Sequence, residues 1–273
     1  MPPPTTNPVN VNIQRWENNL TLIHEFISEE EEATMIAAFH SAQPKPEPTV
    51  STGSRKRLSQ HFGYHFDYTT FGASETTFTP LPKYIEDLLP RLPIQDHIPD
   101  QFTMQYYPPG AGIPPHVDTH SLFGEALYAL SLGSSVPIEF RKCNASDARR
   151  MRLPKRSLMS GSETSETVTT TNPEPTRTRP DMQGVNETLE LFLPPRSLLV
   201  MMGPSRYGYT HGIRGRKTDQ VDGQTVARVG RYSITMRTVK RGAEVGCDCG
   251  FPGVCDARIA EEVAQAQGSR GKP

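Results

Sequence analysis

The chain has 273 residues, of which 35% are hydrophobic, and its 29 basic and 30 acidic residues give a formal net charge of −1. This balance excludes a globally basic nucleic-acid-binding surface, while local basic patches stay compatible with it. The sequence has no apolar run of the roughly 18 residues needed to cross a bilayer, and Met1–Pro4 lacks the features of a secretory signal. We expect an intracellular protein without a membrane anchor, in the cytoplasm, the nucleus or both.

The composition changes along the chain and divides it into one domain and three irregular segments. Residues 1–15 are predicted to be a disordered N-terminal tail, and residues 257–273 a C-terminal tail or frayed helix. Residues 143–187 contain no Phe, Tyr or Trp and are predicted to be a disordered insertion. The domain therefore spans residues 16–256, which hold all of the 11 Phe, 9 Tyr and 1 Trp that can build a core.

The predicted elements begin with a strand over residues 20–26. Ser28 and Glu31 have the spacing of a capping box, which predicts a helix that starts there and ends before Pro44. A short helix is predicted over residues 82–89, and further strands over residues 102–107, 126–132, 138–140, 188–193, 197–202 and 232–239. Many short strands between Gly- and Pro-containing turns predict a mainly β domain, an antiparallel sandwich or jelly roll with helices near its N-terminus.

A first candidate metal motif follows a proline-rich turn. His116 and Asp118 are separated by one residue, so their side chains point the same way from an extended segment. Two histidines and one carboxylate on one face are typical of non-haem Fe(II) oxygenases, and His211 is the candidate second histidine. The alternative is a solvated His and Asp in a surface loop.

A pair of arginines is the second candidate feature. Arg231 and Arg237 are six residues apart on a predicted strand and so face the same side. Two arginines inside a sandwich are costly unless they meet anions, and a dicarboxylate would provide one at each end with a geometry suited to guanidinium. The alternative is two exposed arginines on an edge strand.

A cluster of cysteines near the C-terminus is the third feature. Cys247, Cys249 and Cys255 lie within nine residues, and in a reducing compartment such spacing favours a metal over disulfides. Zinc requires a fourth ligand, for which His120 is available. The segment 247–256 would then be tied to the loop after Asp118 and contribute folding energy. The alternative is three free thiols in a mobile tail.

These features occur in a characteristic order. The order H-x-D … H … R-x₅-R, together with LTLIHEFISEEEE (20–32), resembles the AlkB family of Fe(II)- and 2-oxoglutarate-dependent dioxygenases over about residues 16–256. The resemblance is closest to the branch that hydroxylates a modified uridine at the tRNA wobble position. Its phrases are HFGYHFDY (61–68), QYYPPGAGIPPHVDTHSLF (105–123), LSLGS (130–134), LPPRSLLVM (193–201), SRYGYTHGI (205–213) and CDCGFPGVCD (247–256). The implied fold is a double-stranded β-helix with N-terminal helices flanking the sheet.

The resemblance implies a role for each matching residue. The implied iron ligands are His116, Asp118 and His211. The implied 2-oxoglutarate-binding residues are Arg231, Arg237, Tyr107 and Gln105. The family usually has Asn at the position of Gln105, and Gln105 retains the amide on a side chain one methylene longer. The implied ligands of a structural zinc are His120, Cys247, Cys249 and Cys255.

The implied activity is hydroxylation or oxidative demethylation of a modified nucleobase, in tRNA above other nucleic acids. The sequence shows neither the RNA-recognition domain nor the methyltransferase domain of the animal branch. We therefore expect tRNA to be held either by the oxygenase domain itself or by a separate partner, such as an RNA-binding protein or a methyltransferase. Two alternatives stay open. One is the same chemistry on a protein side chain or alkylated DNA, and the other is a non-catalytic, zinc-stabilised binding module.

Several groups are candidates for contact with nucleic acid. The aromatic run that contains His61, Phe62, Tyr64 and Phe66 would stack a splayed base, or would form an ordinary half-buried strand. Basic residues that could meet phosphates are Arg55, Lys56, Arg57, Arg214, Arg216 and Lys217. Residues 141–156 hold a further basic excess, typical of a nucleic-acid arm, a targeting signal or a solvated linker.

Overall fold

The computed structural model describes residues 12–42, 57–67, 72–144, 147, 188–221 and 223–269. Its strands are β1 (Ile13–Arg15), β2 (Leu20–Ile23), β3 (Leu58–Asp67), β4 (Gly72–Thr79), β5 (Gln101–Tyr107), β6 (Ile113–His116), β7 (Phe123–Gly133), β8 (Val136–Lys142), β9 (Thr188–Leu193), β10 (Ser197–Met201), β11 (Tyr209–Ile213), β12 (Thr218–Val221), β13 (Gln224–Ala227) and β14 (Arg231–Val239). Its helices are α1 (Glu29–Ser41), α2 (Lys83–Glu86), α3 (Gly203–Tyr207) and α4 (Asp256–Ser269). Short 3-10 turns cover Leu89–Arg91, Gln95–His97, Gly242–Glu244 and Pro252–Val254.

Two antiparallel sheets form the body of the domain. The larger has the strand order β1-β2-β10-β7-β14-β5-β3-β4, and the smaller has the order β6-β11-β8-β9. Apart from the pairs β1-β2, β3-β4 and β8-β9, neighbours in each order are not consecutive in sequence, as in a jelly roll and not in a simple meander. The prediction of a mainly β jelly roll with N-terminal helices is therefore confirmed.

The larger sheet is covered on both faces, which gives the domain two apolar layers. On one face, Met35 and Phe39 of α1 and Ile85 of α2 pack with sheet residues such as Phe102 and Ile234. On the other face, residues of the larger sheet such as Leu127 and Leu199 pack against Phe140 and Leu191 of the smaller sheet. Burial of these side chains is the main favourable term in folding, and it holds the two sheets face to face.

The start of α1 forms as the sequence predicts. The Ser28 hydroxyl accepts a hydrogen bond from the Glu31 amide at 3.1 Å, and the Glu31 carboxylate accepts one from the Ser28 amide at 2.7 Å. These two bonds satisfy amides that have no partner within the helix. The helix ends at Ser41, before Pro44.

Three predicted boundaries need correction. Residues 13–15, assigned to the disordered tail, form β1, because Ile13 to Arg15 pair with Ile23 to Thr21 of β2. The strand predicted over residues 20–26 ends at Ile23, and Glu25 takes a positive φ of 47° that ends extended structure. At the C-terminus, residues up to Ser269 form the helix α4, so the helical alternative is the one observed there.

The predicted insertion at residues 143–187 lies almost wholly outside the described residues. Of its described residues, Asp147 is buried and pairs with Arg141 at 2.6 Å. Residues 1–11 of the predicted tail are also outside the described part. Within the described ranges, no helix combines the length and apolar composition that a membrane span requires.

Candidate active site

A cavity of about 410 Å³ lies between the two sheets and is lined by residues from both. The larger sheet contributes β14, whose register places Arg231 opposite Tyr107 of β5. The smaller sheet contributes β6 and β11, in which His116 and His211 are cross-strand partners. The sheets therefore bring together residues that are far apart in sequence.

The three predicted iron ligands converge in this cavity. One ligand atom from each of His116, Asp118 and His211 can be chosen so that all lie within 4.8 Å of one another. The imidazole rings of His116 and His211 are 4.4 Å apart between centroids. The distance from His211 Nε2 to Asp118 Oδ2 is 3.7 Å. One cation can thus contact all three side chains.

Hydrogen bonds orient two of these side chains. His116 Nδ1 lies 3.0 Å from the Pro114 carbonyl oxygen, so Nδ1 carries the proton and the Nε2 lone pair is available to a metal. Arg237 Nη2 donates to Asp118 Oδ1 at 2.8 Å, which leaves Oδ2 on the side of His211. Hydrogen bonds between a metal-binding side chain and its neighbours fix the direction in which that side chain presents its lone pair to the metal.

The protonation states suit a divalent cation. Burial lowers the pKa of His211 to about 3, so its imidazole is neutral at physiological pH. Burial alone would raise the pKa of Asp118, but the positive charge of Arg237 holds it below its ordinary value. The donor set of two imidazoles and one ionised carboxylate fits Fe(II).

Arg231 has the properties of a carboxylate receptor. Its side chain is buried, and its Nη2 donates to Ser131 Oγ at 3.0 Å and to Ser233 Oγ at 3.3 Å. Its Nε and Nη1 have no hydrogen-bond partner among the described residues. Burial lowers the pKa of Arg231 to about 10, which leaves it charged at neutral pH. A buried guanidinium with two unused donors fits an anionic cosubstrate such as 2-oxoglutarate.

Tyr107 and Gln105 also line the cavity. The Tyr107 hydroxyl donates a hydrogen bond to Gln105 Oε1, and Gln105 Nε2 lies 3.5 Å from Ser59 Oγ. The longer side chain of Gln105 thus reaches Tyr107, next to Arg231. The guanidinium of Arg57 lies over the Tyr107 ring at 4.7 Å from its centroid.

The arginine pair is not on an edge strand. β14 lies between β7 and β5, and both Arg231 and Arg237 are buried. Arg237 contacts Asp118, and its Nη1 donates to Gln101 Oε1 at 3.3 Å. The exposed-pair alternative is therefore wrong, and in the described structure the two arginines have different neighbours.

The predicted zinc ligands form a second cluster. Ligand atoms of His120, Cys247, Cys249 and Cys255 lie within 4.8 Å of one another, and Cys249 Sγ is 3.4 Å from His120 Nδ1. Burial lowers the pKa of His120 to about 3 and raises that of Cys249 to about 12. Three thiols and a neutral imidazole form a donor set that fits tetrahedral zinc, whose charge would deprotonate the thiols.

The candidate nucleic-acid residues are more dispersed. The aromatic run forms β3, which confirms the strand interpretation; His61 lines the cavity, whereas Phe62 packs on the core and Tyr64 packs against Phe78. Arg57 lines the cavity. Arg214 pairs with Glu139 at 2.7 Å. Arg55 and Lys56 lie outside the described residues.

Sequence reasoning assigned no role to several residues that support the site. Ser131 and Ser233 accept hydrogen bonds from the Arg231 guanidinium. The one sequence signal for this role was that Ser233 lies two residues after Arg231, on the same face of the strand. Arg206 and Asp256 contact the backbone of the loop after β6. Both lie in phrases that carry the family resemblance, but a side chain that bonds backbone atoms leaves no pairing pattern in the sequence.

Comparison with known proteins agrees with this geometry. Residues 19–237 match the family model of the 2OG-Fe(II) oxygenase superfamily. The tRNA (carboxymethyluridine(34)-5-O)-methyltransferase alkbh8 of Xenopus tropicalis is 31% identical over 265 residues, which cover 89% of this chain and 35% of that protein. The alkylated DNA repair protein ALKBH8 homolog of Arabidopsis thaliana is 29% identical, over 88% of this chain and 62% of that protein. The solved structure of OsALKBH1 aligns with a TM-score of 0.48 at 14% identity, over 83% of this chain and 100% of that one.

The chain therefore belongs to the 2OG-Fe(II) oxygenase superfamily, whose members use Fe(II) and 2-oxoglutarate. The match to this family model identifies the chain as an oxygenase, an oxidoreductase. Within the superfamily, the chain is similar to ALKBH8 proteins. The non-catalytic alternative is not supported. The chain covers 35% of the length of the frog relative.

Proposed function

We propose that this protein uses Fe(II) and 2-oxoglutarate to oxidise a modified nucleobase in tRNA. The observation that carries the proposal is the convergence of His116, Asp118 and His211 with the unpaired guanidinium donors of Arg231 in one cavity. Similarity to a frog protein named for a reaction at tRNA uridine 34 supports the choice of tRNA. A second protein that binds tRNA or methylates the product is part of the proposal.

The protein's own residues bind and orient the reactants in this proposal. Fe(II) held by His116, Asp118 and His211 supplies the oxidising chemistry when 2-oxoglutarate and O₂ are present. Arg231 binds the distal carboxylate of 2-oxoglutarate, and Tyr107 and Gln105 contact the same cosubstrate beside it. The apolar side chains Leu199 and Ile138 line the cavity and limit the access of water.

The part of the cavity lined by Arg57 and His61 suits a base from an unpaired loop. Arg57 and His61 line the cavity together with Thr103, whose hydroxyl lies 3.2 Å from His61 Nδ1. Burial lowers the pKa of His61, so its ring is neutral and can stack or accept a hydrogen bond. RNA-binding proteins read splayed single-stranded bases through stacking and base-edge contacts of this kind.

The proposal is tested by mass spectrometry of tRNA nucleosides from cells with and without the gene. We expect cells without the gene to lose an oxidised wobble uridine and to accumulate its precursor, and the parent gene to restore the profile where a His211→Ala gene does not. An unchanged tRNA profile would contradict the tRNA substrate. If iron-dependent 2-oxoglutarate turnover persisted, it would point to alkylated DNA or a protein side chain instead.

A bound zinc at the second cluster is a further part of the proposal. We expect purified protein to contain about one zinc per chain and Cys249→Ser to lose it with a lower melting temperature, because such sites contribute folding energy directly. Elemental analysis and thermal melts provide the measurement. Cys143→Ser is the matched control, because Cys143 lies outside the cluster. If Cys143→Ser lost zinc and Cys249→Ser did not, the assignment would be contradicted.

A further inference from the structure

Two buried charged side chains hold one short segment of backbone, residues 118–121, here called the metal loop. Arg206 of α3 donates from Nη1 to the Asp118 carbonyl oxygen at 2.8 Å and from Nη2 to the Thr119 carbonyl oxygen at 2.7 Å. Asp256, the first residue of α4, accepts at Oδ1 from the His120 amide at 2.7 Å and from the Ser121 amide at 3.1 Å. Its Oδ2 accepts from the Ser121 hydroxyl. Four consecutive residues are thus fixed through their backbone.

The burial of these two charges is costly. Arg206 is 1% exposed and Asp256 is 0% exposed. Removing an ion from water costs several kcal/mol unless hydrogen bonds compensate for it. In both cases the bonds described above go to the metal loop. The hydrogen-bond share of this compensation is therefore present only while the loop keeps one conformation.

The metal loop carries one ligand of each metal cluster. Asp118 belongs to the cavity triad, and His120 belongs to the cysteine cluster. Asp256 directly follows Cys255, another member of that cluster, and the Tyr207 ring next to Arg206 packs edge-on against His120 at 4.9 Å. The Asp118 carboxylate is oriented by Arg237, but its backbone position depends on Arg206.

We infer that Arg206 and Asp256 are positioning residues that set the geometry of the iron site by clamping the metal loop. The inference rests on the proposed iron site. In the clamped loop, the Asp118 carboxylate is held at a fixed distance from His116 and His211. Without the clamp, the loop can sample conformations in which Asp118 leaves the other two ligands, and the affinity for the metal falls. Because the same loop carries Asp118 of the triad and His120 of the cysteine cluster, the clamp also couples the two sites.

The test uses the 273-residue protein carrying one zinc per chain, titrated with Co(II) without oxygen and followed by visible absorption. Arg206→Lys and Asp256→Asn preserve size and part of the bonding. We expect both to keep the parent zinc content but to weaken Co(II) binding about tenfold, in the range typical of residues that support metal ligands. Their Co(II) bands should shift, because the ligand geometry changes. Ser121→Ala removes one bond to Asp256 and is the milder variant if the others do not fold.

Matched controls come from the pair Arg196 and Glu32, in which Glu32 accepts from the Gly133 amide at 2.8 Å on the helical side of the sheet. Arg196→Lys and Glu32→Gln should bind Co(II) like the parent. Clamp variants with the affinity and spectrum of these controls would overturn the inference. If His116→Ala binds Co(II) as well as the parent does, the proposed iron site itself fails, and the clamp inference fails with it.

Discussion

Replacement of His116 with alanine is expected to reduce iron-dependent succinate formation at least about 100-fold. Loss of even a residue that only supports a metal ligand costs 10–100-fold in affinity or activity, and a ligand should cost more. His116 presents Nε2 to the triad because Nδ1 is held by the Pro114 carbonyl. The measurement is succinate formed from 2-oxoglutarate at a fixed Fe(II) concentration, together with the metal content of the protein.

His97→Ala is the matched control for this substitution. His97 lies in a 3-10 turn and does not line the cavity, so its replacement should leave succinate formation unchanged. A His116→Ala protein that retains parent activity would contradict the ligand assignment. If activity were lost because the protein unfolds, the circular dichroism signal would fall by the same fraction. We do not expect this fall, because His116 is at the end of β6.

Replacement of Arg231 with methionine should weaken the binding of 2-oxoglutarate without lowering the stability of the fold. The KM for 2-oxoglutarate should rise on the order of 100-fold, because two charge-assisted hydrogen bonds of about 1.5 kcal/mol each are lost. The melting temperature of the protein without cosubstrate should rise or stay constant, because the substitution removes an incompletely paired buried charge. Steady-state kinetics and thermal melts separate these effects.

Arg231→Lys should fall between the parent and the methionine variant, since lysine retains the charge but loses the planar fork. Arg196→Lys is the control, because Arg196 pairs with Glu25 and Glu32 away from the cavity. Destabilisation by Arg231→Met with an unchanged KM would mean that Arg231 is a structural residue and not a cosubstrate receptor.

Much of the strand pattern was predictable because the strands follow simple apolar patterns. Thr188–Leu193 and the capped start of α1 agree with prediction. The strand β7 extends its predicted range by three residues at the start and one at the end, and β14 starts one residue earlier than predicted. Tyr209–Ile213 was missed as a strand. All five of its residues are buried, so it shows no alternation, and Thr, His and Gly give it little apolar character.

The hairpin of β12 and β13 was also missed, although Asp222-Gly223 is a common hairpin turn sequence. Its short strands are too polar for a pattern-based assignment.

The site was predictable to the extent that its residues form local motifs. His116 with Asp118 and the cysteine cluster each occupy a short segment. His211, His120 and Arg231 were candidates by residue type, and the family resemblance implied their roles. The supporting contacts were not predictable. Arg206 bonds backbone carbonyl oxygens 87 and 88 positions away, and Asp256 bonds amides 135 and 136 positions away. Side chains that contact backbone place no demand on the residue type of their partner, so the sequence carries no sign of the pairing.

We propose that this cavity couples 2-oxoglutarate consumption to oxidation of a tRNA base. The most direct measurement is the yield of succinate and of oxidised nucleoside when iron-loaded protein is incubated with 2-oxoglutarate, O₂ and tRNA from cells without the gene. We expect iron-dependent succinate formation that is stimulated by this tRNA, with about one oxidised nucleoside formed per succinate. The His211→Ala protein should form neither product. Succinate at the level of the metal-free control, with the tRNA unchanged, would contradict the proposal.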